Sequence, residues 1–336
     1  MLFSVGYRTE ADERFVQEIL MRKDRIREVY FSFGSFPSGR NDQTRTRGLL
    51  PFEAQEKQLR DLAAISAAGI PLHILFNANC YGEKAQSRAF FTEIGNTVDY
   101  LLSHFSLSGV TTTSFLIAKF MKENFPALDV RASVNMSIGT IEGMEYAAPY
   151  FDSFYVQREK NRSFTALRTL RAWCDQNGKE MYLLANSGCL NFCSAHTFHD
   201  NLVAHEKEIA AFDNGYAFHG ICREFLSKAE NRKRFLEVTN FIRPEDIPLY
   251  EGLVPAVKLA TRVHENPARV LSAYIDKGCF TGNIASLLEP NHAGVLYPYI
   301  LENNKIQTDI TDNNIVYKGD NAFIRLEDTY ADKSND

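Results

Sequence analysis

Cysteine is scarce in this sequence, six among 336 residues. That is too few for a disulfide-built scaffold, and the first residues show neither a basic leader nor a long apolar run, so a reducing, cytoplasmic setting is expected. Long hydrophobic runs are missing too. No apolar stretch approaches the roughly 20 residues that cross a bilayer, which argues against membrane insertion. Nor is there a surplus of positive charge: 37 Lys and Arg stand against 42 Asp and Glu, a net charge of -5. Bulk electrostatic capture of nucleic acid is therefore not expected, although a local basic patch would still allow an RNA partner. Two motifs are also missing. No Gly-x-Gly-x-x-Gly follows the first apolar run, which lowers a dinucleotide-binding reading, and no Gly-x-Ser-x-Gly marks a serine hydrolase.

What the sequence has in quantity is alternation. Short runs rich in β-branched and aromatic residues, near residues 3–6, 29–33, 72–76, 109–112, 130–134, 153–156, 181–185 and 255–260, are mostly separated by stretches of helical period. Glu237 to Ile242 also resembles a strand, but Arg243-Pro244 beyond it reads as a helix start, so 255–260 is taken as the eighth. Eight such units predict a (β/α)8 TIM-like barrel over 1–282. A long insertion interrupts it at 187–253, a short β appendage is expected over 283–330, and residues 331–336 are expected to be disordered.

The insertion carries the strongest chemical signal. Asn186-Ser-Gly-Cys-Leu-Asn-Phe-Cys-Ser-Ala-His-Thr-Phe-His199 places two thiols and two imidazoles just beyond the seventh strand. Closely spaced soft ligands suit zinc or an iron-sulfur cluster, because one loop can then wrap the metal. Cys222 lies in the same insertion, and Cys80, at the end of the third strand, is placed on the same barrel face. Cys80, Cys189, Cys193 and Cys222 are therefore the candidate ligands, with His196 and His199 as competitors if the metal is zinc. His205 and His219 read as exposed helix positions.

In a barrel the active-site face lies at the strand C-termini. That rule selects Asn77, Asn79, Asn135 and Asn186 as a polar ring, and Arg158, Glu159, Lys258 and Arg262 as charged candidates. Arg40, Arg45 and Arg47, after the second strand, form a loop suited to bidentate capture of an anion. Each asparagine could equally be a turn former, and Arg158 and Glu159 could simply pair.

Several stretches resemble the collagenase-like peptidase family U32. Ala132-Ser-Val-Asn-Met-Ser137 is similar to its Ala-Ser-Thr-Gln pattern, and Val156-Gln-Arg-Glu159 to its Ala-Arg-Glu. Asn186-Ser-Gly-Cys189 stands where the family has His-Gly-Ala-Leu-Cys. Phe241-Ile-Arg-Pro-Glu-Asp-Ile247 resembles its Asp-Leu-Cys segment, and Val257-Lys-Leu-Ala-Thr-Arg262 its Phe-Lys-Ile-Glu-Gly-Arg. The usual histidine is replaced by Asn186 or Ser187, and Thr261 replaces a glycine. The resemblance implies a barrel whose four cysteines hold a 4Fe-4S cluster, acting in oxygen-independent hydroxylation of an RNA base or an aromatic metabolite. In that reading Arg158, Glu159 and Lys258 are catalytic. Arg40, Arg45, Arg47, Arg262, His196, His199 and the four asparagines bind a small anionic or aromatic substrate. A zinc-dependent or U32-type peptidase is the alternative, and a non-catalytic cluster-binding accessory protein, in a homo- or hetero-oligomer with a related chain, is the third.

Overall fold

The computed structural model describes residues 1–39, 49–319 and 321–326. Eight strands, β1 (Leu2–Gly6), β2 (Ile26–Phe31), β3 (Leu72–Phe76), β4 (Leu107–Thr112), β5 (Asp129–Ala132), β6 (Ser153–Tyr155), β7 (Glu180–Leu184) and β8 (Ala256–Leu259), pair in parallel in sequence order. Leu2 opposite Ala256 and Val5 opposite Leu259 close the barrel. The 237–242 stretch is not a strand. It is a helical turn followed by extended chain, whose Ile242 N–H donates to the Ala185 carbonyl at 2.8 Å.

The outward faces explain the apolar runs. Phe3, Val5, Val29, Phe31, Ile74, Phe76 and Val110 are fully buried under the helices α1 (Arg14–Leu20), α2 (Pro51–Ala67), α3 (Arg88–His104), α4 (Phe115–Asn124), α5 (Ile141–Ala147) and α6 (Phe164–Gln176). Four of these helices start on a Ser or Thr whose hydroxyl accepts a backbone N–H of the first turn: Ser87, Ser114, Thr140 and Ser163.

The inward face is polar. Glu28, His73, Arg131 and Ser4 meet inside the barrel from four different strands: an Arg131 Nη1–H donates to Glu28 at 2.5 Å, Ser4 Oγ donates to Glu28 at 2.9 Å, and His73 Nδ1 lies 3.6 Å from Glu28. Asp129 and Ser153 take the other side of Arg131. Above this layer Tyr155 accepts from Arg131 at 3.2 Å, and the Tyr182 ring stacks under its guanidinium at 3.9 Å.

Between β7 and β8 run the short helices α7 (His196–Ala204), α8 (Glu206–Ile209), α9 (Ile221–Ser227), α10 (Ala229–Arg232) and α11 (Phe235–Val238). After β8 come α12 (Pro267–Leu271), α13 (Ala293–Leu296) and two antiparallel pairs: β9 (Tyr299–Leu301) with β12 (Phe323–Arg325), and β10 (Gln307–Thr311) with β11 (Asn314–Lys318). Asp312 and Asn313, both at positive φ, form the tight turn of the β10–β11 hairpin. Tyr317 of β11 fixes this hairpin to the barrel, its ring 4.0 Å from the Arg162 guanidinium and its hydroxyl accepting the Arg243 N–H at 3.0 Å. Among the described residues no helix is long and apolar enough to cross a membrane.

Candidate functional site

At the C-terminal mouth of the barrel lies a cavity of roughly 80 Å³, walled by Tyr30, Asn77, Asn135, Arg158, Cys189, Lys258, Arg262 and Glu289. Room of this size admits several waters, or one small planar or anionic group. Its floor is Lys258. The ammonium rests on two rings, 4.0 Å from the centre of Tyr30 and 4.7 Å from that of Tyr155, and makes no hydrogen bond or ion pair among the described residues. Burial, joined by the nearby Arg262, pushes its pKa down to about 7. An amine that would ordinarily be a fixed cation thus titrates near neutrality.

Gly6 makes room for this floor. A Cβ there would lie 2.7 Å from the Tyr30 ring and hydroxyl and 2.8 Å from the Arg262 chain, so only glycine lets both side chains cross β1. Arg262 then donates to Ser38 at 3.0 Å, and Ser38 and the Gly39 N–H both donate to the Asn77 side-chain Oδ1. On the opposite wall Arg158 donates to Asn135 at 3.0 Å and to His196 Nε2. Asp200, buried behind His196 at 3.5 Å, also accepts from Asn79 at 3.2 Å.

The cysteine loop is set by contacts from far along the chain. Gly188 donates to the Glu289 carbonyl at 2.9 Å, and its own carbonyl meets His292 Nε2 at 2.8 Å. Within the loop Phe192 takes a left-handed φ of 52°, and its N–H donates to the Glu159 carboxylate at 3.0 Å. Burial pushes the Cys193 and Cys222 thiols up, and the charge of Cys189 adds to both, so the three sulfurs lie within electrostatic reach of one another. Cys80 turns elsewhere. Its thiol pairs with His205, which lowers its pKa, and His205 pairs in turn with Glu208. No three His, Cys, Asp or Glu side chains among the described residues converge closely enough to hold a metal ion. Cys189, Cys193 and Cys222 are by their chemistry soft donors, the kind zinc or an iron-sulfur cluster takes, and all three are free thiols.

No family model matches the chain. An uncharacterized protease of Methanocaldococcus jannaschii is 24% identical over 228 residues, an alignment covering 66% of this chain and 64% of the relative. The chain thus spans less than two thirds of that protein. A solved U32 peptidase structure superposes with a TM-score of 0.55 at 14% identity, covering 77% of this chain and 91% of that one. The barrel of this chain thus shares its fold with a U32 peptidase.

At the mouth of the barrel the strand-end residues sort into three groups. Asn77, Asn135, Arg158, Lys258, Arg262 and Cys189 share the cavity wall. Asn79, His196 and Glu159 stand behind it and position others: Asn79 and His196 through Asp200, Glu159 through the Phe192 backbone. His199 packs edge-on against Phe218. Asn186 corrects its expected role as a substrate ligand. It is fully buried, its Nδ2 donating to the Ala260 and Leu287 carbonyls and its Oδ1 accepting the Ala260 N–H, so it ties β7 to β8. His205, expected as an exposed helix position, instead pairs with Cys80 and Glu208. Arg40, Arg45 and Arg47 lie outside the described residues, as does the 331–336 tail.

Sequence reasoning missed Tyr30, Tyr155 and the Glu28, His73 and Arg131 network beneath them. The available signal was a charged or phenolic residue at alternate positions inside an otherwise apolar strand, which marks an inward face.

Proposed function

We propose that this U32 relative is an iron-sulfur barrel enzyme that modifies an anionic aromatic substrate, a metabolite or an RNA base, by oxygen-independent hydroxylation. The observation carrying this reading is that Cys189 shares one cavity wall with Arg158, Lys258 and Arg262. Three cationic side chains facing a small cavity suit a carboxylate or phosphate, and Tyr30 adds ring surface beside them. Cys189, Cys193 and Cys222, with Cys80 as the fourth once its thiol leaves His205, would hold a 4Fe-4S cluster, which when bound supplies electron transfer.

The chain's own residues have separable tasks. Arg158, held by Asn135 and His196, presents a fixed guanidinium for binding and orientation. Arg262, braced on Ser38, does the same from β8. Lys258, with its pKa near 7, is poised to hold or release a proton at Nζ at physiological pH. Anaerobic purification followed by iron and sulfide analysis tests the reading. Iron and acid-labile sulfide in equal amounts are expected, and a colourless protein carrying zinc without iron would overturn it.

A peptidase or zinc-dependent hydrolase is the second reading, favoured by the protease and peptidase names of the two relatives. In that case the purified chain cleaves a peptide library and loses activity to a chelator. Cleavage absent from a fully metal-loaded protein removes this alternative.

A further inference from the structure

A second cleft, away from the barrel mouth, has a ligand chemistry of its own. It opens between α10 and α11 on one side and β9, β11 and β12 on the other, with a volume of roughly 640 Å³. That lies within the usual range for small-ligand sites, about 300 to 1,000 Å³. Four cationic side chains, Arg232, Lys233, Arg234 and Lys318, line it against one carboxylate, Glu237, in a chain whose net charge is -5. Two of the four are already neutralised: Arg234 forks onto Glu237 at 3.2 Å, and Lys318 pairs with Asp309 at 2.6 Å.

Arg232 and Lys233 are different. Lys233 is exposed and makes no ion pair or hydrogen bond among the described residues. Arg232 donates to the Ser227 carbonyl at 3.1 Å, its buried Nε has no acceptor, and its guanidinium lies 5.5 Å from the Tyr299 ring. Tyr299 is 36% exposed and lines the same cleft, so a planar group can reach its ring. Gly319 shapes the base of the cleft. A Cβ there would sit 2.7 Å from a terminal methyl of Leu236, so Gly319 packs closely on that side chain of α11.

We propose that this cleft binds a nucleotide, its phosphate held by Arg232 and Lys233 and its base laid against Tyr299. Cations that no carboxylate neutralises among the described residues select the anion, and the exposed ring beside them selects a flat heterocycle over a bare phosphate. The volume is too large for inorganic phosphate alone. A free nucleotide and a nucleotide within a strand share this chemistry, and the test separates the two sources.

The experiment is calorimetric titration of the full-length chain with ADP, with pyrophosphate and with a short single-stranded oligoadenylate. ADP is expected to bind more tightly than pyrophosphate and to weaken as salt rises. Lys233→Ser, at an exposed position, should weaken ADP at least tenfold with iron content unchanged. Tyr299→Ser should weaken ADP while leaving pyrophosphate as it was. Oligoadenylate that displaces ADP assigns the site to a strand, and failure to displace it assigns a free nucleotide; either upholds the site. Equal affinity for ADP and pyrophosphate, binding that Lys233→Ser leaves unchanged, or no binding of ADP or oligoadenylate at millimolar concentration overturns it.

Discussion

Replacing Arg131 by Met should be among the more destabilising single changes in the barrel. Its guanidinium is 2% exposed and bridges Glu28 at 2.5 Å and Asp129 at 2.6 Å, with Ser153 and Tyr155 as further partners. Removing it leaves the Glu28 carboxylate enclosed with Ser4 as its remaining hydrogen-bond donor among the described residues and His73 beside it, Lys258 acting on it through space. Breaking a buried pair from one side costs about 3 to 5 kcal/mol. Arg131→Met belongs at the upper end of that range, because it orphans Glu28. Glu28→Gln belongs at the lower end, because Arg131 keeps Asp129 and Ser153. An unfolding entropy of about 2.1 cal/mol/K per residue gives roughly 0.7 kcal/mol/K for this length. The expected drops in Tm by scanning calorimetry are then about 6–7 °C for Arg131→Met and about 4 °C for Glu28→Gln.

The pH dependence adds an independent check. Burial alone would raise the Glu28 pKa, but Arg131 and His73 outweigh it and hold it at about 2, against an ordinary 4.5. Burial pushes His73 down to about 4 from 6.5. Both folded values are depressed, so both contributions are present above the unfolded values and are lost as pH falls through the folded ones. Wild-type Tm should therefore decline in two stages, from about pH 6.5 toward 4 and from 4.5 toward 2. In Arg131→Met the second stage should shrink or reverse, because Glu28 loses the charge that holds it below 4.5 while burial still raises it. A Tm loss under about 1.5 °C for Arg131→Met, or an unchanged acid limb, would refute a stabilising role for the network.

Three further outcomes follow from the site. Lys258→Met should abolish turnover yet leave Tm equal or higher at pH 7, since it removes a buried amine. Between about pH 7 and 10.5 the folded chain has released a proton that the unfolded chain retains, so wild-type stability should climb with pH relative to this variant, as denaturant titration at several pH values would read. Gly188→Ala would drive a Cβ against the Pro290 carbonyl oxygen, and the forced shift should lower Tm by several degrees and, if the proposed cluster is held, the iron bound per chain. Asn186→Ala leaves the Ala260 N–H and two carbonyls without partners and should cost about 2 to 4 kcal/mol in urea unfolding; a loss below 1 kcal/mol would contradict its tie between β7 and β8.

The barrel was legible because its outward residues form continuous apolar runs, with Ser or Thr caps opening the helices that cover them. The β10 strand was not, because Gln307-Thr-Asp-Ile-Thr311 is polar and largely exposed, and a two-stranded hairpin needs no buried face. The helices of the insertion were equally hidden, several being four residues long and too short to display a helical period. Strand-end position picked out Asn77, Asn135, Arg158, Lys258 and Arg262. It misplaced Asn186, since the side chain closest to a strand end can be consumed by backbone pairing. Glu159 shows a related effect. It stands next to Arg158 in sequence, yet the turn sends the two in different directions, one to the cavity and the other to the Phe192 amide.

The contacts that seat Gly188 come from Glu289 and His292, a hundred residues downstream and beyond the last barrel strand. The cysteine-bearing loop is therefore not a property of the barrel alone. The seventh strand is held by its neighbours β6 and β8, whereas the loop that follows it is seated by the segment leading to α13. A change in that distant segment would reach the cysteines without touching a barrel strand.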